Sequence, residues 1–236
     1  MNKQGNLYTI IYIVVLVVVT GAALAITSLS LKSRQTENEN ADKMHQILAS
    51  VHVTSDSKDI KSTFNQYITA QYIVKSNGEA VEGDAFDIDV AKQVKLPVDE
   101  RTLPLYVCSL PEGGEKYIIP LSGNGLWGPI WGYMSVDENG STIYGAYFAH
   151  QGETPGLGAE IEKPAFSNQF EGKNLFKDDK FLPIAVLKSG TKPVAAEDYV
   201  DAISGGTITS KGVESMISDC VTGYEKFLES VKQAKK

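Results

Sequence analysis

The chain has 236 residues, 42% of them hydrophobic and 22% charged, with 22 basic and 29 acidic side chains and a formal net charge of −7. That balance argues against nucleic acid or an anionic membrane surface as the main partner. Two cysteines and three histidines, with no C-x-x-C or His-rich run, argue against a zinc or iron–sulfur site, and the length suits one large domain or two small ones.

After Lys3 no charged residue occurs until Lys32, and Leu7 to Leu31 is overwhelmingly apolar. As a helix these residues span roughly 37 Å, enough to cross a hydrocarbon core of about 30 Å with some tilt. A cleaved export signal is the competing reading, because Ala23-Leu24-Ala25 resembles a cleavage site. The apolar run before it exceeds the usual ~7–15 residues of such signals, so a retained anchor is favoured. Lys3 precedes the segment while Lys32 and Arg34 follow it, and the positive-inside rule leaves the orientation open.

Met44, Ile47, Leu48 and Val51 recur at helical spacing, which predicts a helix continuing out of the bilayer from about Glu37. Phe64, Tyr67, Ile68 and Tyr72 repeat that spacing. Asn77-Gly78 between two strand-like runs predicts a hairpin. From Leu105 the runs LYVC, KYIIPL, WGYMSV and STIYGAYFAH, punctuated by Gly and Pro, predict an antiparallel sheet. DENGS, Asp137 to Ser141, reads as a hairpin turn, because it lacks the glutamate and spacing of a calcium loop. Leu182 to Lys188 predicts one more strand.

Val213, Met216, Ile217, Cys220, Val221, Tyr224, Phe227, Leu228 and Val231 form a stripe that predicts one terminal helix packed on the sheet. The fold class is therefore α+β, an antiparallel sheet with packed helices behind one N-terminal transmembrane helix. Cys108 and Cys220, far apart and each flanked by apolar residues, could pair in an oxidising compartment, but buried free thiols are the favoured reading.

Three segments invite chemistry. SGGTITSKG, Ser204 to Gly212, stands before the terminal helix. A serine elbow fails, because the fold that uses it places a histidine after the serine and none follows His150 here. Two readings stay open: a plain cap, with Thr209 or Ser210 accepting from the first helical N–H groups, and a phosphate site using the same donors and dipole. GNGLWG, Gly123 to Gly128, matches G-x-G-x-x-G but runs into another strand, whereas the dinucleotide motif needs a helix there. Its glycines still admit close backbone approach, and Trp127 offers a flat face. QGETPGLGAEIEKP, Gln151 to Pro164, is either a surface connection or the edge of a ligand pocket presenting Glu153, Glu160, Thr154 and glycine-freed N–H groups.

Together these segments resemble one family. DAISGGT, Asp201 to Thr207, is similar to the flavin-transferase acceptor sequence, and SGNGLW and GETPGLG precede it as in the C subunit of the sodium-translocating NADH:quinone reductase. The resemblance covers nearly the whole chain and is weakest from about Glu37 to Pro104. Gly206 stands where that family usually has alanine, and Ser122-Gly123-Asn124 departs from the basic residue expected before Gly-Leu-Trp.

The resemblance implies covalent FMN on Thr207, through a phosphoester bond to its hydroxyl. It implies that Gly125, Leu126, Trp127, Glu153, Thr154, Leu157 and Gly158 line the isoalloxazine or ribityl chain. Ser204, Gly205, Ile208 and Thr209 join the cofactor site, with Thr209 and nearby N–H groups at the phosphate. Asp201, Ser204 and Gly205 are implied to be read by the flavin transferase, with no metal and no catalytic residue in the chain. The implied function is electron relay inside a sodium-pumping NADH:quinone oxidoreductase, with other membrane subunits as partners. The implied location is the inner membrane, single-pass, with the flavin domain on the periplasmic side. The implied organisation is a tail at 1–6, an anchor at 7–31, a juxtamembrane helix and α/β segment at 32–100, and an FMN-binding domain at 101–236. The alternatives are the homologous subunit of a ferredoxin:NAD ion-pumping complex and a membrane-anchored binding module without redox function.

Overall fold

A computed structural model describes residues 5–56, 59–111 and 113–235. The chain divides into two compact units, one ending at Lys43 and one beginning at Met44. Helix α1, Asn6–Ala49, supplies the first unit and the opening turns of the second. An 18-residue window in α1 has a mean hydropathy of 2.7 and none of it is buried within the chain, so α1 is long and apolar enough to cross a membrane. The helix that the spacing of Met44, Ile47, Leu48 and Val51 predicted is the end of α1, where Ile47 and Leu48 are buried.

The second unit is built on a six-stranded antiparallel sheet in the order β2-β1-β3-β4-β5-β6. Its strands are β1 Ile68–Lys75, β2 Ala80–Glu82, β3 Thr102–Ser109, β4 Glu115–Asn124, β5 Pro129–Asp137 and β6 Ile143–His150. The sheet carries its strands from both sides of residue 100, since β1 pairs with β3 from Ile68↔Cys108 to Lys75↔Thr102. The Asn77-Gly78 hairpin forms as its sequence demands, with Gly78 at φ 87° and the Glu79 N–H donating to Asn77 Oδ1 at 2.9 Å. DENGS is likewise a turn, in which the Asn139 side-chain oxygen accepts from the Ser141 and Thr142 N–H groups.

The helical spacing of Phe64, Tyr67, Ile68 and Tyr72 holds only for α2, Ile60–Tyr67; Ile68 and Tyr72 belong to β1, which corrects the expectation of a longer helix. Pairing with β3 overrides the periodicity there, because the run is rich in β-branched and aromatic residues that suit a pleated surface. The strand expected over Leu182 to Lys188 shrinks to β9, Ala185–Leu187, which leaves the main sheet and pairs in parallel with β10, Tyr199–Asp201. A second two-stranded sheet joins β7, Phe176–Lys177, to β8, Lys180–Phe181.

The terminal stripe is two helices rather than the one expected. With α3 at Val90–Gln93 and α4 at Pro164–Ser167, these are α5, Thr207–Val221, and α6, Glu225–Ala234, separated by a 3-10 turn at Thr222–Tyr224. A side chain at Gly223 would run into Leu103, and the buried Tyr224 hydroxyl donates to the Pro104 carbonyl at 2.6 Å. Both contacts seat this turn against β3. Val213, Met216, Ile217, Cys220, Val221, Tyr224, Phe227 and Leu228 all enter one core with Leu105, Ile119, Leu121 and Met134 from the sheet. Arg101 secures the C-terminal end of α5, its guanidinium donating to the carbonyls of Asp219 (2.6 Å), Val94 and Leu96 (2.9 Å each). Cys108 and Cys220 are free and buried, as expected, and burial pushes both thiols up to about 11.

Candidate functional site

The three motif segments meet at the N-terminal end of α5. GNGLWG turns from β4 into β5, the Gly125 N–H donating to the Gly128 carbonyl at 2.8 Å. The loop after β6 folds on itself: the Thr154 carbonyl accepts from the Leu157 and Ala159 N–H groups at 3.1 Å each, and Glu160 accepts from the Gly156 N–H at 3.1 Å. Gly156 and Gly205 lie at φ 74° and 76°, a left-handed conformation that glycine adopts without penalty.

Glu153 joins the segments. Its carboxylate is buried, 5% exposed. One oxygen accepts from the Trp127 N–H at 2.8 Å and the other from the Thr209 hydroxyl at 2.6 Å. A Cβ on Gly125 would press on the first oxygen, and one on Gly158 would strike the second together with the Thr209 hydroxyl. Glycine is therefore needed at one place in each loop to let this carboxylate in. His150 supports it from behind, Nδ1 accepting from the Glu153 N–H at 3.1 Å. That bond requires the lone pair at Nδ1 and sets the proton on Nε2, which faces Glu162 at 3.7 Å.

The capping reading does not survive. Helix α5 starts at Thr207, with Gly206 at the N-cap and no side-chain cap. Thr209 and Ser210 lie within the first turn, and their hydroxyls serve other partners: Thr209 donates to Glu153, and Ser210 accepts from the Ile203 N–H at 3.0 Å. The first N–H groups of an α-helix have no intrahelical partner, and the dipole there is positive. An anion at this end of α5 meets backbone donors, while the Thr209 hydroxyl proton is already committed.

A cavity of about 220 Å³ opens beside this end. Leu126 lines it from the first loop, Glu153, Thr154, Leu157 and Gly158 from the second, and Gly205 to Thr209 from the start of α5. Leu126, Leu157, Thr207 and Ile208 are exposed around it. Of the residues expected at a flavin, Gly125 faces a neighbouring groove of about 610 Å³ that it shares with Asn124, Ile208 and Lys211. Trp127 does not line the cavity: its backbone N–H donates to Glu153, and the residue is 68% exposed. Asp201 and Ser204 lie outside the cavity on the exposed approach to Thr207. Sequence reasoning did not anticipate Gly206 as a wall, His150 as a support or Ser210 as a brace. The position of His150, three residues before Glu153 at the end of a strand, was the one available signal.

The residues present fit a phosphate-bearing cofactor. A threonine hydroxyl, uncapped helical N–H groups and a glycine-cleared cavity stand side by side.

A family model described as an FMN-binding domain matches residues 125–222, which include the cavity and α5. The C subunit of the Na(+)-translocating NADH-quinone reductase of Vibrio vulnificus is 31% identical over 93% of this chain and 93% of its own length. The chain belongs to that C-subunit family. The corresponding protein of Vibrio anguillarum is also 31% identical, over 98% of this chain and 97% of its own. A crystal structure of the family member from Parabacteroides distasonis superposes with a TM-score of 0.78 at 52% identity, covering 84% of this chain and 96% of that one. The Shewanella oneidensis protein NqrC, at 22% identity and a TM-score of 0.68, shares the fold. These relatives favour the quinone reductase over the ferredoxin:NAD complex and the non-redox module.

Proposed function

We propose that this chain is the membrane-anchored FMN subunit of a sodium-translocating NADH:quinone reductase, and that its flavin is esterified through phosphate to the Thr207 hydroxyl. The observation that carries the ester is the setting of Thr207. It is exposed, it is the first residue of α5, it lines the cavity, and no side chain caps the helix it opens. FMN supplies the electron chemistry when bound, accepting and passing on one or two electrons.

The chain's own residues do the rest. Backbone N–H groups of the first turn of α5 bind the phosphate, and a covalent link prevents loss of the cofactor outside the cytoplasm. Leu126, Leu157 and Ile208, exposed around the cavity, would help shield a bound flavin from water, and Glu153 holds the two loops against the helix. Asp201, Ser204 and Gly205, on the exposed approach, are the features a flavin transferase reads. The α1 helix anchors the protein among its membrane partners, with the second unit on the periplasmic side. On its own the protein has no complete reductase activity.

Intact-mass measurement after co-expression with a flavin transferase tests the ester. An FMN-sized increment on the natural chain, absent from Thr207→Ala, is expected. Its absence from the natural chain, or its persistence in the variant, overturns the claim. A reporter fused after Lys236 that is active only in the cytoplasm would overturn the placement.

A further inference from the structure

Glu153 is a buried carboxylate whose partners are two neutral donors, the Trp127 N–H and the Thr209 hydroxyl. Among the described residues no ion pair reaches it, although it is only 5% exposed. Burying a charge without a counter-ion is costly. The first turn of α5 offsets part of that cost, because Thr209 is the third residue of the helix and the dipole favours an anion there. A neutral glutamine of nearly the same shape would hold the same two loops more cheaply. Its carbonyl accepts from the Trp127 N–H, and its amide donates to the Thr209 hydroxyl, which accepts as readily as it donates. Bridging the loops therefore explains the shape of the side chain and leaves its charge unexplained.

Resting on the FMN reading above, we infer that Glu153 is a positioning residue whose fixed negative charge, built into the wall of the cavity, lowers the midpoint potential of the flavin. Adding electrons brings negative charge to the ring, and a fixed anion nearby, in surroundings of reduced dielectric, opposes it. Two structural features keep the charge in place. Its two oxygens are held by the Trp127 N–H and the Thr209 hydroxyl, and the His150 ring accepts from the Glu153 N–H. The carboxylate leaves the wall only by giving up both of the bonds to its oxygens.

The test uses the full flavin-loaded chain in spectroelectrochemical titration, with amide exchange at Trp127 read in the flavin-free chain. Glu153→Gln is expected to raise the potential by about tenfold in the reduction equilibrium, roughly 30 mV for a two-electron couple, with Trp127 exchange unchanged. Glu153→Asp, which keeps the charge, is expected to stay near the natural potential, and Glu153→Ala to speed Trp127 exchange. A potential unmoved in Glu153→Gln, or moved equally in Glu153→Gln and Glu153→Asp, overturns the inference. So does failure of Glu153→Gln to fold, because the neutral amide is argued to preserve both hydrogen bonds. Absence of flavin on the natural chain overturns the FMN reading itself, and this inference with it.

Discussion

The Thr209 hydroxyl donates to Glu153 at 2.6 Å, joining the first turn of α5 to a loop 56 residues earlier. That bond closes a site that none of its three segments forms alone, and it leaves no room for a side chain at Gly158. Gly158→Ala is expected to force the carboxylate and hydroxyl apart and to cost about 1–3 kcal/mol. Urea unfolding of the flavin-free chain measures this, and a loss below a few tenths of a kcal/mol would show that the loop moves aside freely.

Gly206, where the resemblance leads one to expect alanine, lies at φ −104°, a conformation open to any residue. An added Cβ would meet Ile203 at 3.1 Å and the Leu157 carbonyl carbon at 3.3 Å, close but not prohibitive. Gly206→Ala gains about 0.4–1 kcal/mol by restricting the unfolded chain and gives part of it back through these contacts and a poorer cap. Stability is expected to change by less than about 1 kcal/mol, with flavin attachment unaltered in an intact-mass assay. A large drop in attachment would mean that glycine is required here.

Trp131 donates its indole N–H to the Gln46 side chain at 3.0 Å, fastening the last turns of α1 to β5. Trp131→Phe keeps most of the packing and removes the donor. A loss of about 1 kcal/mol is expected, measured by thermal or urea unfolding. No loss beyond error would show that water replaces the bond without penalty.

Alkaline stability follows from the buried acids. Burial pushes Cys108 and Cys220 up to about 11 and Tyr117 up to about 12, and raises Tyr106, Tyr133 and Tyr224 as well. In the unfolded chain the thiols ionise near 9, so between about pH 9 and pH 11 the unfolded state binds fewer protons than the folded one. Their contribution is complete below pH 9 and is lost as pH rises through about 11. The urea midpoint should fall from about pH 8 to about pH 10, and less steeply in a Cys108→Val, Cys220→Val double variant. An identical slope in both proteins would remove the thiols from the account.

The anchor, the strands β3 to β6 and the hairpin turns were legible in the sequence, because each depends on residues adjacent along the chain. An unbroken apolar run needs a bilayer or a core, short β-rich runs between glycines need pairing, and Asn-Gly accommodates a tight turn. The family was legible too, through the likeness of the three motif segments, and the relatives bear it out. What local pattern could not reveal was Ile68 and Tyr72 leaving the helical spacing for a strand, since only β3 alongside makes that exchange favourable. Nor could it show the 3-10 break at Thr222–Tyr224, or that Leu103 occupies the space a side chain at Gly223 would need. In the site, spacing proposed Thr209 as a cap or phosphate holder. Tertiary structure gave its hydroxyl to Glu153 instead, because the two buried polar groups satisfy each other once the loops close. The sequence by itself determined which residues are available at the cavity. Only the fold decided that a buried carboxylate would hold them together, because such a bond requires groups distant in the chain to be desolvated in one place.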